Sequence, residues 1–246
     1  MKKQSIAVID SGLGGISVLK KLVKTFPYEQ FVYFGDNDNA PYGNLSRLNL
    51  WRIVINNIDI IKRYNVKAIV LACNTLSVNL FNEIKEFSSL PTFCVFPPVE
   101  RCQISGGRTL LLATERTAKN YNTSPNFDVL GLKDLAFIIE KNIFKLNGFD
   151  FDTYFDNIDI FKQEKVFYKN VILGCTHYNF IKNQIFVHFR PQNLYDGTEN
   201  LVEEMKRYYK TQKTSVNNKG LKVLFVGRNA RLNEYIYNVS GQNVLF

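Results

Sequence analysis

Apolar and polar positions alternate between two rhythms along this chain. Residues 5–9 form a short apolar run, which predicts a buried strand. It ends in the turn Asp10-Ser11-Gly12-Leu13-Gly14-Gly15, and residues 16–26 then take helical spacing through Ile16, Leu19, Leu22, Val23 and Phe26. The pattern repeats: strand 30–35, a loop of turn formers over 36–43, and a helix over 46–63 with Leu50, Ile53, Val54, Ile58 and Ile61 on one face. A third strand, 67–72, runs into Cys73-Asn74-Thr75 before a helix over 76–87. Such alternation predicts a parallel sheet covered by helices.

Pro91, Pro97, Pro98 and Gly106-Gly107 interrupt the pattern and mark a crossing between lobes. A second series follows: strand 109–113, helix around 117–121, helix 133–145, strand 171–173, a short strand at 194–196 and a helix over 201–209. A final strand at 221–226 precedes a helix near 231–239. The predicted fold class is α/β, with two doubly wound lobes and largely parallel sheets. One lobe is expected over 1–95 plus 197–246, the other over 96–196.

Composition narrows the class without naming a function. The 246 residues are 46% hydrophobic and 22% charged, which excludes disorder and collagen-like structure. No apolar run approaches the ~18 residues of a membrane helix, and only residues 6–9 follow the basic start before Asp10, too short for a signal peptide. A cytoplasmic protein with no membrane partner is expected. The net charge of +9 comes from scattered basic residues, densest over 206–213, and that run reads as a solvated helix face. Nucleic acid is therefore not expected as a partner, and an anionic small molecule fits the charge equally well.

Four cysteines lie at 73, 94, 102 and 175. No Cys-x-x-Cys occurs, so finger-type zinc and a redox pair are not expected. Cys73 and Cys175 each end an apolar strand and precede a helix, where the helix dipole is expected to lower a thiol pKa. In open α/β sheets, ligands bind beyond such strand ends. Two matched thiols suit one reaction: one removes an acidic C–H proton from one face while the other delivers a proton to the opposite face. Ser11, Asn74, Thr75 and Thr176 supply hydrogen-bond donors for a substrate carboxylate. No lysine motif points to pyridoxal phosphate, so no cofactor is expected.

Other features have plainer readings. Gly12, Gly14 and Ser17 give Gly-x-Gly-x-x-Ser, and Asp36 ends the second strand, so a nicotinamide enzyme is a rival on this segment alone. A metal held by Cys73, Cys175 and His177 has no supporting ligand spacing. His188 and the acidic residues Asp150, Asp152, Asp156 and Asp159 read as structural.

Four blocks carry a resemblance: Asp10-Ser11-Gly12-Leu13-Gly14-Gly15, Gly35-Asp36 with Pro41-Tyr42-Gly43, Ala72-Cys73-Asn74-Thr75, and Leu173-Gly174-Cys175-Thr176-His177-Tyr178. In order and spacing they resemble the signature blocks of glutamate racemases, within the aspartate/glutamate racemase superfamily. Cys-Asn-Thr with Gly-Cys-Thr-His-Tyr resembles glutamate rather than aspartate racemases, whose second block usually reads Cys-Thr-Glu. The resemblance implies a cofactor-independent racemase that supplies D-glutamate for peptidoglycan, with two pseudo-symmetric lobes and the active site in the cleft between them. It implies that Cys73 and Cys175 are the acid–base thiols, assisted by Asp10 and His177 on their respective sides. It also implies substrate contacts from Ser11, Pro41, Tyr42, Gly43, Asn74, Thr75 and Thr176, and matches Glu140 to an assisting glutamate on the Cys175 side.

The chain departs from the family pattern at several points. Asn179 replaces a usual Pro, Pro97 a common Glu, and Cys94 a usual Gly; Asn120 stands where a Thr-x-x-Thr-x-x-Ser block ends in Ser, and Val226-Gly227-Arg228-Asn229 replaces a Gly-Asp turn. A relative acting on aspartate or another acid, and a non-catalytic binding or regulatory member, are the alternative readings. A homodimer is left open.

Overall fold

The computed structural model describes residues 4–158, 166–211 and 222–226. The expected helix near 231–239, Asp159 and the turn after Val226 lie outside the described residues. The first series runs β1 (Ser5–Asp10), α1 (Ile16–Thr25), β2 (Gln30–Gly35), α2 (Arg47–Lys62), β3 (Val66–Leu71), α3 (Asn74–Ser88) and β4 (Thr92–Cys94). After α4 (Val99–Ser105), the second series runs β5 (Thr109–Ala113), α5 (Glu115–Ala118), β6 (Phe127–Gly131), α6 (Leu135–Asn142), α7 (Phe151–Asp156), β7 (Asn170–Gly174), α8 (Lys182–Phe189) and β8 (Asn193–Tyr195). Then come α9 (Thr198–Thr211) and β9 (Lys222–Val226).

Two parallel sheets result, one ordered β4-β3-β1-β2-β9 and the other β6-β5-β7-β8. Read from the opposite edge, the second sheet becomes β8-β7-β5-β6, strand for strand the arrangement β4-β3-β1-β2 of the first. The pseudo-symmetry is therefore topological, and β3 and β7 hold equivalent places. In each sheet the chain leaves the first strand toward one edge and later returns to its other side. That places a switch point between β1 and β3, and another between β5 and β7, where ligands of such sheets bind.

The strands are apolar because both faces are covered. All six residues of β1 and all five of β5 and β7 are buried. One face of the first sheet packs Ile6, Val8 and Val70 against Leu19 and Leu22 of α1 and against Leu201 and Met205 of α9. The other face packs Ile9, Ile69 and Leu71 against Leu50, Val54 and Ile58 of α2 and Leu80 of α3. Each such fully buried aliphatic side chain contributes about 2 kcal/mol of transfer free energy. The chain thus returns after β8 to cover and extend the first sheet, with β9 pairing in parallel with β2.

Two strands and several ends differ from the expectation. β4 has only three residues, Thr92–Cys94, beside Pro91, and β6 is a half-buried edge strand with Asp128 at its second position. Neither offers a long apolar run or a clean alternation. The helix expected at 133–145 spans Leu135–Asn142. The one expected near 117–121 is the short α5, which begins where Thr114 accepts a hydrogen bond from the Thr117 N–H.

Candidate active site

Register brings the strand ends together. Ile9 pairs with Leu71 and Asp10 with Gly35, so Asp10 and Ser11 lie beside Cys73 at the edge of the first sheet. In the second sheet Ala113 pairs with Gly174, so Thr114 lies beside Cys175. Both thiols are nearly closed off from solvent, at 5% and 7% exposure, and near enough that Cys175 acts electrostatically on Cys73.

The two thiols have different neighbours. The Cys73 sulfur lies 3.8 Å from the Ser11 hydroxyl. Burial, reinforced by the negative charge of Asp10, pushes this thiol up to about 12, although the Leu76 N–H of α3 and the Ser11 hydroxyl pull it down. The expected lowering by the helix end is thus overturned for Cys73: a helix terminus contributes about 0.3–1 kcal/mol, and the cost of a buried thiolate exceeds it. Asp10 itself is driven up to about 6 by burial, against the pull of His177, the Gly12 N–H and the Thr176 hydroxyl.

Cys175 leads into a 3-10 helix, Thr176–Ile181, rather than into an α-helix as expected. His177 Nδ1 faces its sulfur at 3.7 Å, and His177 Nε2 meets Glu140 Oε2 at 2.6 Å. Burial alone would lower the His177 pKa. The hydrogen bonds and charges of Cys175 and Glu140 outweigh it and hold the imidazole well above its usual value. Glu140 comes from α6, whose apolar face (Leu135, Ala136, Ile139) docks on the second sheet and turns the carboxylate inward.

Buried polar contacts cross between the lobes. The Leu13 N–H donates to Glu140 Oε2 at 3.0 Å, and Asn37 Nδ2 donates to Glu140 Oε1. Asp10 Oδ1 accepts the Gly12 N–H at 2.9 Å, while Oδ2 accepts the Thr176 hydroxyl at 3.1 Å. The hydroxyls of Thr75, Thr114 and Thr117 form a closed triangle of 3.0–3.2 Å contacts. A side chain at Gly12 would meet the Glu140 carboxylate at 2.8 Å, and one at Gly14 would run into Thr176 and His177. The glycine turn is filled by the opposite lobe, so the dinucleotide alternative fails there: no room remains for a pyrophosphate along its backbone. Among the described residues no three His, Cys, Asp or Glu side chains group as a metal site.

Asp10, Ser11, Cys73, Thr75, Thr176, His177, Glu140 and Cys175 converge, all buried. Gly43 abuts Thr114 across the lobes. Tyr42 is fully buried, and its hydroxyl donates to Asp36 at 2.6 Å, within a cluster that also takes the Asn57 amide. The Asn74 amide donates to the Val95 carbonyl at 3.1 Å and so braces β4. Pro41 joins the same loop through a cis Ala40–Pro41 bond. Asp150 caps α7, and His188 pairs with Asp152 at 2.9 Å. Sequence reasoning missed Asn37 and the roles of Thr114 and Thr117. The signal for Asn37 was its place two residues beyond β2, at a strand end of the kind already singled out.

No protein-family model matches the chain. The chain is 34% identical over 220 residues to the glutamate racemase of Clostridium acetobutylicum, covering 84% of each. It belongs to the glutamate racemase family. Among solved structures it is similar to the glutamate racemase of Thermus thermophilus in complex with beta-chloro-D-alanine, with 26% identity, a TM-score of 0.78, and coverage of 99% of this chain and 95% of that one. It is also similar to the isoform RacE1 glutamate racemase of Bacillus anthracis, with a TM-score of 0.81 at 22% identity, covering 98% and 95%. The two-lobed α/β fold is thus the glutamate racemase fold, and no helix among the described residues is long and apolar enough to cross a membrane.

Proposed function

We propose that this chain interconverts L- and D-glutamate without a cofactor, by proton transfer between Cys73, the α-carbon and Cys175. The observation that carries the reading is the pairing of two interacting thiols at equivalent strand ends of two sheets with the same order. A thiolate on one side takes the α-proton and becomes a thiol. The electron pair stays on the α-carbon and spreads into the carboxylate. The thiol on the other side then gives its proton to the opposite face and is left as thiolate. Turnover therefore swaps the two protonation states, and the same pair runs the reaction in either sense.

The surroundings supply what a thiol alone lacks. Cys73, held near 12, carries its proton at neutral pH, and the negative charge of Asp10 beside it raises the cost of its thiolate. On the other side His177, backed by Glu140, exchanges a proton with Cys175 through Nδ1. The α-proton of an amino acid is far less acidic than a thiol, so donors to the substrate carboxylates and a water-free site must stabilise the carbanion-like transition state. The hydroxyls of Ser11, Thr75 and Thr176 are the side-chain donors at hand, Asn74 begins α3 beside them, and the loop with Pro41, Tyr42 and Gly43 borders the seam at Thr114. The same reading divides the chain into lobes 1–95 plus 197–246 and 96–196, puts the protein in the cytoplasm, and sends its D-glutamate to peptidoglycan.

Incubation of the reduced protein with either enantiomer of glutamate in D₂O is expected to wash deuterium into the α-position and to end at an equal mixture. No exchange with either enantiomer overturns the reading. Exchange with aspartate but not glutamate would move it to another acid.

A further inference from the structure

We infer that Asn37 is a positioning residue for the opposite lobe's thiol: it anchors Glu140, and through Glu140 it sets how His177 stands against Cys175, so that the second thiol is equipped only while the lobes are together. The inference rests on the racemase reading above and names the part of the first lobe on which Cys175 depends.

Asn37 opens the 3-10 turn Asn37–Asn39, two residues beyond β2, and belongs to the first lobe. Its amide nitrogen donates to Glu140 Oε1 in the second lobe. The orientation of that amide is fixed by charge, because the alternative would turn its oxygen on a carboxylate. Asn37 Oδ1 is buried and accepts no hydrogen bond among the described residues, so the side chain is held by its one donor contact with Glu140. The other oxygen of Glu140 takes the Leu13 N–H and His177 Nε2. The carboxylate is therefore carried by α6 but gripped by two donors from the other lobe. So held, it stands 2.6 Å from the imidazole that faces Cys175 at 3.7 Å.

The arrangement has a counterpart. Asp10, the carboxylate beside Cys73, is gripped across the same seam by the Thr176 hydroxyl. Each thiol's assisting carboxylate thus takes part of its hydrogen bonding from the lobe that does not carry it. Separation of the lobes would leave Asp10 to the Gly12 N–H and Glu140 to His177.

The test uses α-deuterated L- and D-glutamate with the full-length protein. Since the enantiomers are equally stable, loss of either half must lower kcat/KM equally for both, so the rate alone cannot locate a defect. The isotope effect can, because it rises only for the enantiomer whose proton transfer at the damaged thiol has become limiting. Asn37→Ala is expected to lower kcat/KM about tenfold and to raise the isotope effect for one enantiomer only, the same one that His177→Asn singles out. The double variant is expected to be no slower than His177→Asn alone, since both changes break one chain. Asn37→Gln, which keeps an amide donor, is expected to restore matched isotope effects, and it serves as the probe if Asn37→Ala does not fold. Equal rises for both enantiomers, or losses that multiply in the double variant, would overturn the inference. Wild-type protein that exchanges no α-deuterium would remove the racemase reading and this inference together, whereas normal wild-type exchange with a symmetric response removes this inference alone.

Discussion

Cys73 leaves β3 into an α-helix of fifteen residues, whereas Cys175 leaves β7 into a 3-10 helix of six. The strand order around them is the same, yet the first sulfur has a hydroxyl and a buried carboxylate for company, and the second an imidazole with a carboxylate behind it. A reaction that treats two mirror-image substrates alike is thus assigned to two unlike halves. The difference teaches that symmetry is required of the protons moved, not of the groups that move them. One sulfur is surrounded by burial and a neighbouring carboxylate charge, the other by an imidazole hydrogen-bonded to a carboxylate.

The harshest way to break this comparison is to remove a sulfur. Cys73→Ser and Cys175→Ser are each expected to cut racemisation of both enantiomers by about 10³-fold or more, because a serine hydroxyl is a far poorer proton donor and base than a thiol. Chiral chromatography of either enantiomer measures it. Substantial turnover in either variant would mean that one half is dispensable.

A second change sharpens the contrast through stability. Asp10 is fully buried and its pKa is raised from 3.8 to about 6, so the folded state binds a proton more tightly than the unfolded chain. Its charge therefore costs the fold nothing below about pH 4; stability falls as pH rises toward 6 and stays lower above it, by up to about 3 kcal/mol. Asp10→Asn is expected to raise the denaturation midpoint at pH 7 while leaving it nearly unchanged at pH 4, and to lower activity. Equal midpoints for the two proteins at pH 7 would show that the carboxylate is not strained. The gain in stability at the expense of turnover is the usual mark of a functional group held where folding alone would not put it.

The mildest change should touch both halves alike. A methyl at Gly43 would meet Thr114 at 2.6 Å, across the seam and beside the Thr75–Thr114–Thr117 triangle. Gly43→Ala is expected to reduce kcat/KM about tenfold by misplacing the lobes, with isotope effects for the two enantiomers changing together. A one-sided change would place this loop with one thiol rather than with the seam.

Much of the fold could be read along the chain, since β1, β2, β3, β5 and β7 are long apolar runs that end in polar blocks. β4 and β6 could not. Three residues next to a proline carry no period, and Asp128 with its half-exposed neighbours imitates a loop. The strand-end rule and the resemblance together brought forward the residues that converge around the thiols. What local sequence could not carry was their environment. The rise of Cys73 to about 12 depends on how completely distant segments bury it and on Asp10, more than sixty positions away. Asn37 escaped notice because its partner, Glu140, is more than a hundred residues off and on another element.

One feature of connectivity reaches beyond catalysis. The four strands of the second sheet form one unbroken stretch, whereas the first sheet receives β9 and the covering helix α9 only after that stretch is complete. During synthesis the later-made half can mature as a unit, while the earlier-made half waits with one flank open. Cys73 therefore acquires its final surroundings only after the strands of the second sheet have been made.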